Sequence, residues 1–276
     1  MRFRQTALLA ARELGEARRS RWFLVATACF LALSLALAWL GLAGTGRAGL
    51  AGFDRTAASL LNLAIFFVPL LTLSLGGLSI AGELEDGSLG VLLAQPITRA
   101  ELFAGKYVGL LAAVSGAVLA GFGATGLVVG LSAGGDALAF AQVVAIVLGL
   151  AASTLAVGLL LSVLLESRAR VAGASFAVWL TLVYLCDLGA IGLTLAQDLG
   201  PAQVFVLGVL NPVQQARILG TLALTDRLEV LGPAGIYAVD TFGPGGAAVL
   251  LGWMMAAVTA GCLAYGYRRF RRTVVS

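Results

Sequence analysis

Six long apolar runs dominate this chain, near residues 22–43, 59–81, 107–131, 138–165, 171–196 and 245–267. A hydrocarbon layer about 30 Å thick takes roughly 20 apolar residues per helical crossing, so each run is long enough to span a membrane. Asp187 is the one residue ionisable well inside any of them. The chain is 60% hydrophobic and 12% charged, with a mean hydropathy of +0.98, so water is not its main solvent. The runs show none of the alternation that lines an outer-membrane barrel. The first run follows 21 polar and amphipathic residues. It exceeds a signal-peptide core of roughly 7–15 residues and is expected to stay as an uncleaved helix. The expectation is an all-α integral membrane protein, with residues 1–276 forming a single transmembrane domain.

Arginine sets the orientation. With the N-terminus in the cytoplasm, 14 of 18 basic residues fall on the cytoplasmic side, leaving Arg47, Arg55, Arg217 and Arg227 outside. This is the positive-inside pattern of a bacterial inner-membrane protein with both termini cytoplasmic. The pI of about 9.3 follows from that topology and makes no case for nucleic-acid binding. Cys29, Cys186 and Cys262 sit singly in three different runs, and histidine is absent. A His-based enzyme and a His-lined metal path are thereby excluded, and no catalytic residue, metal site or cofactor is expected in this chain.

Residues 1–20 place Phe3, Ala7, Ala10 or Ala11, and Leu14 at helical spacing, with Arg2, Arg12, Glu13, Glu16 and Arg19 on the polar side. An amphipathic interfacial helix and a plain arginine flank both account for this pattern. The cytoplasmic connection 83–106 opens with Glu83, Glu85 and Asp86, continues as an apolar run over 88–94 and breaks at Pro96. Thr98 and Glu101 have the S/T-x-x-E spacing of a capping box, which predicts that the third membrane helix starts there, outside the lipid.

The external connection 197–244 holds Pro201, Asn211, Pro212, Pro233 and Pro244 among apolar stretches and is too apolar for a disordered linker. Pro212 suits the first position of a helix with Asn211 as its N-cap. Asn211, Pro212, Gln214, Gln215 and Arg217 are expected to form a docking surface for a periplasmic partner, with burial in lipid as the competing reading.

Gly105 and Lys106 do not make a phosphate loop, because Ala100 stands where that motif needs glycine and Tyr107 replaces its Ser or Thr. Asp187 and Asn62 are candidates for a translocation path or for helix pairing; a charge in lipid needs a partner, water or a proton. Gly126 and Gly130 have GxxxG spacing, which is weak evidence among 36 glycines.

The N-terminal segment, six spans and the stretch GELEDGSLGVLLAQPITRAELFAGKYVG (82–109) together resemble the membrane subunits of ABC-2 type ABC transporters. The resemblance implies an ABC-2, type V exporter-like fold with an N-terminal amphipathic helix and a cytoplasmic coupling helix. It assigns contact with a separate ATPase to Glu83, Glu85, Asp86, Pro96, Thr98 and Arg99, which Glu101 joins through the cap. ATP and Mg are then bound by that partner and not by this chain.

LNLAIFFVPLLTL, VWLTLVYLCDL and LNPVQQARIL carry a narrower resemblance, to the NosY-type permeases of nitrous oxide reductase copper-site maturation. It implies a homodimer in membrane lipid, two copies of a cytoplasmic ATPase, and a periplasmic accessory protein. With no histidine and no cluster of Cys or Met, a sulfur species or mechanical work on the periplasmic partner fits better than copper passing through the bundle. The alternative is an ABC-2 exporter of a drug, peptide or lipid-like substrate. From another class come an integral-membrane enzyme, whose acids could hold magnesium, and a scaffold.

Overall fold

The computed structural model describes residues 3–43, 50–133, 137–186, 188–189, 201–224 and 232–273. The described elements are helical: α1 (Phe3–Arg19), α2 (Arg21–Ala43), α3 (Leu50–Glu85), α4 (Ser88–Leu93), α5 (Arg99–Ala133), α6 (Ala137–Leu165), α7 (Arg168–Leu180), α8 (Pro201–Val209), α9 (Pro212–Leu224) and α10 (Gly232–Thr273). A π-helical turn, Thr181–Leu185, extends α7. By length and composition, Arg21–Gly41, Thr56–Glu85, Arg99–Val128, Ala137–Leu165 and Gly235–Arg272 can each cross a membrane. The other expected crossing, 171–196, is described only as far as Gly189, and Asp187 lies outside the described residues.

α6 is the axis of the bundle. Its buried side chains include Val143, Val147, Leu150, Thr154, Leu155, Gly158 and Ser162, and it packs against α3, α5, α7, α9 and α10. Without a hydrophobic drive between helices in lipid, close approach and polar contacts hold such a bundle together. Both occur between α3 and α6. A Cβ on Gly158 would stand 3.0 Å from the Leu73 carbonyl oxygen, and one on Gly76 2.9 Å from that of Leu155. The Thr72 and Thr154 hydroxyls meet at 2.7 Å, and Ser162 Oγ accepts the Ile80 and Ala81 N–H groups at 3.0 and 2.8 Å. Each such contact is worth about 1 kcal/mol.

The segment before the last crossing folds back onto this core. α9 packs on α6 and α3, and α8 on α10. α10 is two helices joined at a kink, where Gly243 takes φ 70° and ψ 164° just before Pro244. A left-handed φ followed by proline ends one helix and starts the next.

Candidate functional site

α1, the end of α3, α4 and the start of α5 meet at one corner of the bundle. α3 ends as Gly87, with φ 73°, turns the chain into α4, a conformation that costs glycine little. α4 anchors itself through Leu89 and Leu92, both buried, and turns Val91 outward at 69% exposure. Gly90, Ala94, Gln95 and Pro96 are exposed beside it. α5 then starts with a closed capping box: the Thr98 N–H donates to Glu101 Oε2 at 2.9 Å, and the Glu101 N–H donates to Thr98 Oγ1 at 3.2 Å. Thr98 is exposed and Glu101 buried. Gln5 of α1 donates to the Pro96 carbonyl at 3.2 Å, and Arg99 donates to the carbonyl of Arg271 at 2.6 Å, so both ends of the chain are tied to this loop.

The three acids that open the loop serve three internal contacts. Glu85 Oε2 accepts the Arg168 N–H at 2.8 Å, which places a negative charge at the N-terminus of α7, where the helix dipole favours it. Asp86 forms an ion pair with the Arg168 guanidinium, which also donates to the Gly82 carbonyl at 3.3 Å. Glu83 points the other way, into the corner, where its Oε1 lies 2.8 Å from Lys106 Nζ.

Lys106 is 1% exposed. Besides Glu83 it donates to Glu13 Oε1 at 2.8 Å and to the Ser79 carbonyl at 3.3 Å. Arg12 lies 3.7 Å from Glu83 and 2.7 Å from Glu16, which brings a second positive charge to the cluster. Burial pushes the Glu13 carboxyl above its ordinary range, an effect that Lys106 partly opposes. Glu13, Glu16 and Glu83 bring carboxylate oxygens within 4.8 Å of one another, but Lys106 and Arg12 already lie against them as counter-charges.

Glycines let α1 reach this cluster. A Cβ on Gly105 would stand 2.6 Å from Leu9 Cβ, and one on Gly109 2.5 Å from the Ala10 carbonyl oxygen. Gly126 of the expected GxxxG pair admits the Phe140 ring of α6, 2.9 Å from where a Cβ would stand, and Gly105 and Gly109, at the same spacing, seat α1 on α5. The inner side of α1 also differs from the expected apolar face. Leu9, Glu13 and Ala17 are buried while Ala7, Leu8 and Ala11 are exposed, so Glu13 belongs to the inner face because Lys106 awaits it there.

The residues from Asn211 onward divide by the periodicity of α9. Asn211 Oδ1 accepts the Val213 N–H at 2.9 Å and so caps the helix that starts at Pro212. Asn211, Pro212 and Gln215 are buried within this chain, and Gln215 donates to the Val209 carbonyl. Gln214 and Arg217 are half-buried, and Asn62 of α3 is exposed.

The model of the family described as "ABC-2 family transporter protein" matches residues 7–273. The "Probable ABC transporter permease protein NosY" of Stutzerimonas stutzeri is 32% identical over 273 residues, covering 96% of this chain and 97% of that protein. The protein of the same description from Pseudomonas aeruginosa is 32% identical over 272 residues, with the same coverage. Matched along nearly its whole length and built of apolar helices long enough to cross a membrane, this chain belongs to the ABC-2 family, as a permease subunit of an ABC transporter.

Proposed function

We propose that two copies of this chain form the membrane part of an ATP-driven machine that serves copper-site assembly of nitrous oxide reductase in the bacterial inner membrane. ATP and Mg are held by two copies of a cytoplasmic ATPase, and this chain contributes no catalytic group. It works by moving a sulfur species or by driving a periplasmic accessory protein mechanically. The distribution of arginines supports cytoplasmic termini and, with them, a cytoplasmic position for α4. Full-length likeness to two NosY permeases supports this reading over export of a drug, peptide or lipid-like substrate.

The observation that carries the ATPase contact is α4 itself: its leucines are inward, the neighbouring acids are paired within the chain, and Val91 is left on the outside. Val91, with Gly90 and Ala94 exposed beside it, gives this short helix an uncharged outer side that a partner can cover. Gln214 and Arg217 are the side chains of α9 that fit contact with the periplasmic protein. Val91→Asp should reduce co-purification of the co-expressed ATPase about tenfold or more while the chain itself still accumulates in membranes. Undiminished co-purification would remove α4 from the interface.

A further inference from the structure

α7 does not continue as a regular helix. The Cys186 N–H, which in an α-helix would donate to the Leu182 carbonyl, donates instead to Thr181, and the turn Thr181–Leu185 widens to π-helical form. The Leu182 carbonyl, passed over by the Cys186 N–H, accepts Asn211 Nδ2–H at 2.7 Å. Asn211 can hold only this orientation, because its Oδ1 is already engaged by the Val213 N–H at the start of α9. At 3% exposure, water has little access to compete for either bond.

The wide turn changes what packs against what. Residues five apart on an α-helix stand about 140° apart around its axis. The Trp179 and Tyr184 rings nonetheless meet edge to face at 5.9 Å, and Tyr184 also lies 6.2 Å from Phe66 of α3. Trp179 completes the cluster by donating its indole N–H to the Phe66 carbonyl at 3.0 Å.

We infer that Asn211 is the catch of a π-to-α register switch in α7. While its amide holds the Leu182 carbonyl, the turn stays wide and Tyr184 faces Phe66. When α9 shifts and the amide lets go, the turn closes to α form, and the helix beyond Leu185 rotates by about 100° and advances by about 1.5 Å. A displacement of α9 is thereby converted into rotation of the end of α7. If Asn211 were only the N-cap of α9, loss of its Nδ2 donor would leave α7 unchanged.

Asn211→Asp separates the two roles, since aspartate keeps the capping oxygen and removes the donor. The reporter is Phe66→Cys with Tyr184→Cys in the full chain in native membranes, with Cys29, Cys186 and Cys262 changed to Ala. A short bis-methanethiosulfonate links the pair, and cleavage at a protease site engineered at 134–136 reads the link within one chain. The parent pair is expected to link, and N211D to lower the linked fraction about fivefold or more, the population change one hydrogen bond can produce. Deleting Leu182 from the N211D chain removes the extra residue, returns position 184 to a spacing of four from Trp179, and is expected to restore the link. Failure of the parent pair to link, undiminished linking in N211D, or no recovery on deletion would each overturn the switch. If N211D does not accumulate, accumulation of the deletion variant supports the switch and its absence refutes it.

Discussion

Lys106 sits between Glu13 and Glu83 with almost no water, and the two carboxylates are its nearest counter-charges. Removing one member of a buried pair leaves charge without a counter-ion, at a cost of about 3–5 kcal/mol. Lys106→Met should therefore lower the midpoint of thermal unfolding in detergent, whereas Lys106→Arg should keep most of it. The same cluster gives α1 a pH dependence. When α1 lifts off, Glu13 returns to the ordinary carboxylate range, while in place it titrates higher because burial disfavours its charge. The docked form holds its proton to higher pH, so docking is fully favourable below the ordinary range and weakens as pH rises toward the raised value. A nitroxide at exposed Ala11 should become more mobile on that rise, and Glu13→Gln should flatten the response. Thr98 and Glu101 were legible in the sequence because a capping box is a spacing within one turn. The Glu13–Lys106 pair was not, because 93 residues separate its members and no local pattern marks them.

Among the elements, the helices and their punctuation follow from composition and from proline and glycine. α4 lies between Gly87 and Pro96, α9 starts at Pro212, and the kink in α10 falls at Gly243 before Pro244. Which side of α1 turns inward could not be read the same way. Hydrophobic periodicity assigns glutamate outward by default, and only the position of Lys106 on another helix reverses that for Glu13. The seat of α1 is the pair Gly105 and Gly109, where an added side chain would run into Leu9, Ala10 and Glu13. Gly109→Val should push α1 off α5, because the nearest obstacle is backbone and cannot swing aside. Protease cleavage within residues 3–19, in membranes opened to admit the enzyme, is expected to accelerate at least tenfold, while Gly116→Val, which meets open space, should leave it unchanged.

For the molecule as a whole, the apolar runs are the legible part, since lipid imposes a length rule that any single sequence displays, and five of the six expected runs are helices long enough to cross a membrane; the arginine distribution adds an expected orientation. They yield a direct test in a chain freed of its own cysteines. Cysteine at Arg47 or Arg227 should react with an impermeant thiol reagent added outside, and cysteine at Arg170 or Arg271 only after the membrane is opened. The interior arrangement around α6 was not legible, because spans of Leu, Val, Ala and Gly resemble one another and differ in where a glycine admits a neighbour. The pairing of Glu83, Glu85 and Asp86 within the chain also bears on the proposed ATPase contact. With those acids paired within the chain, the exposed ridge of Gly90, Val91 and Ala94 is uncharged, and the ATPase contact proposed there would rest on shape and dehydration. Half-molar salt, which shrinks electrostatic reach to only a few ångströms, would then leave the complex joined, and mild detergents or cold, which weaken apolar contact, would be what parts it.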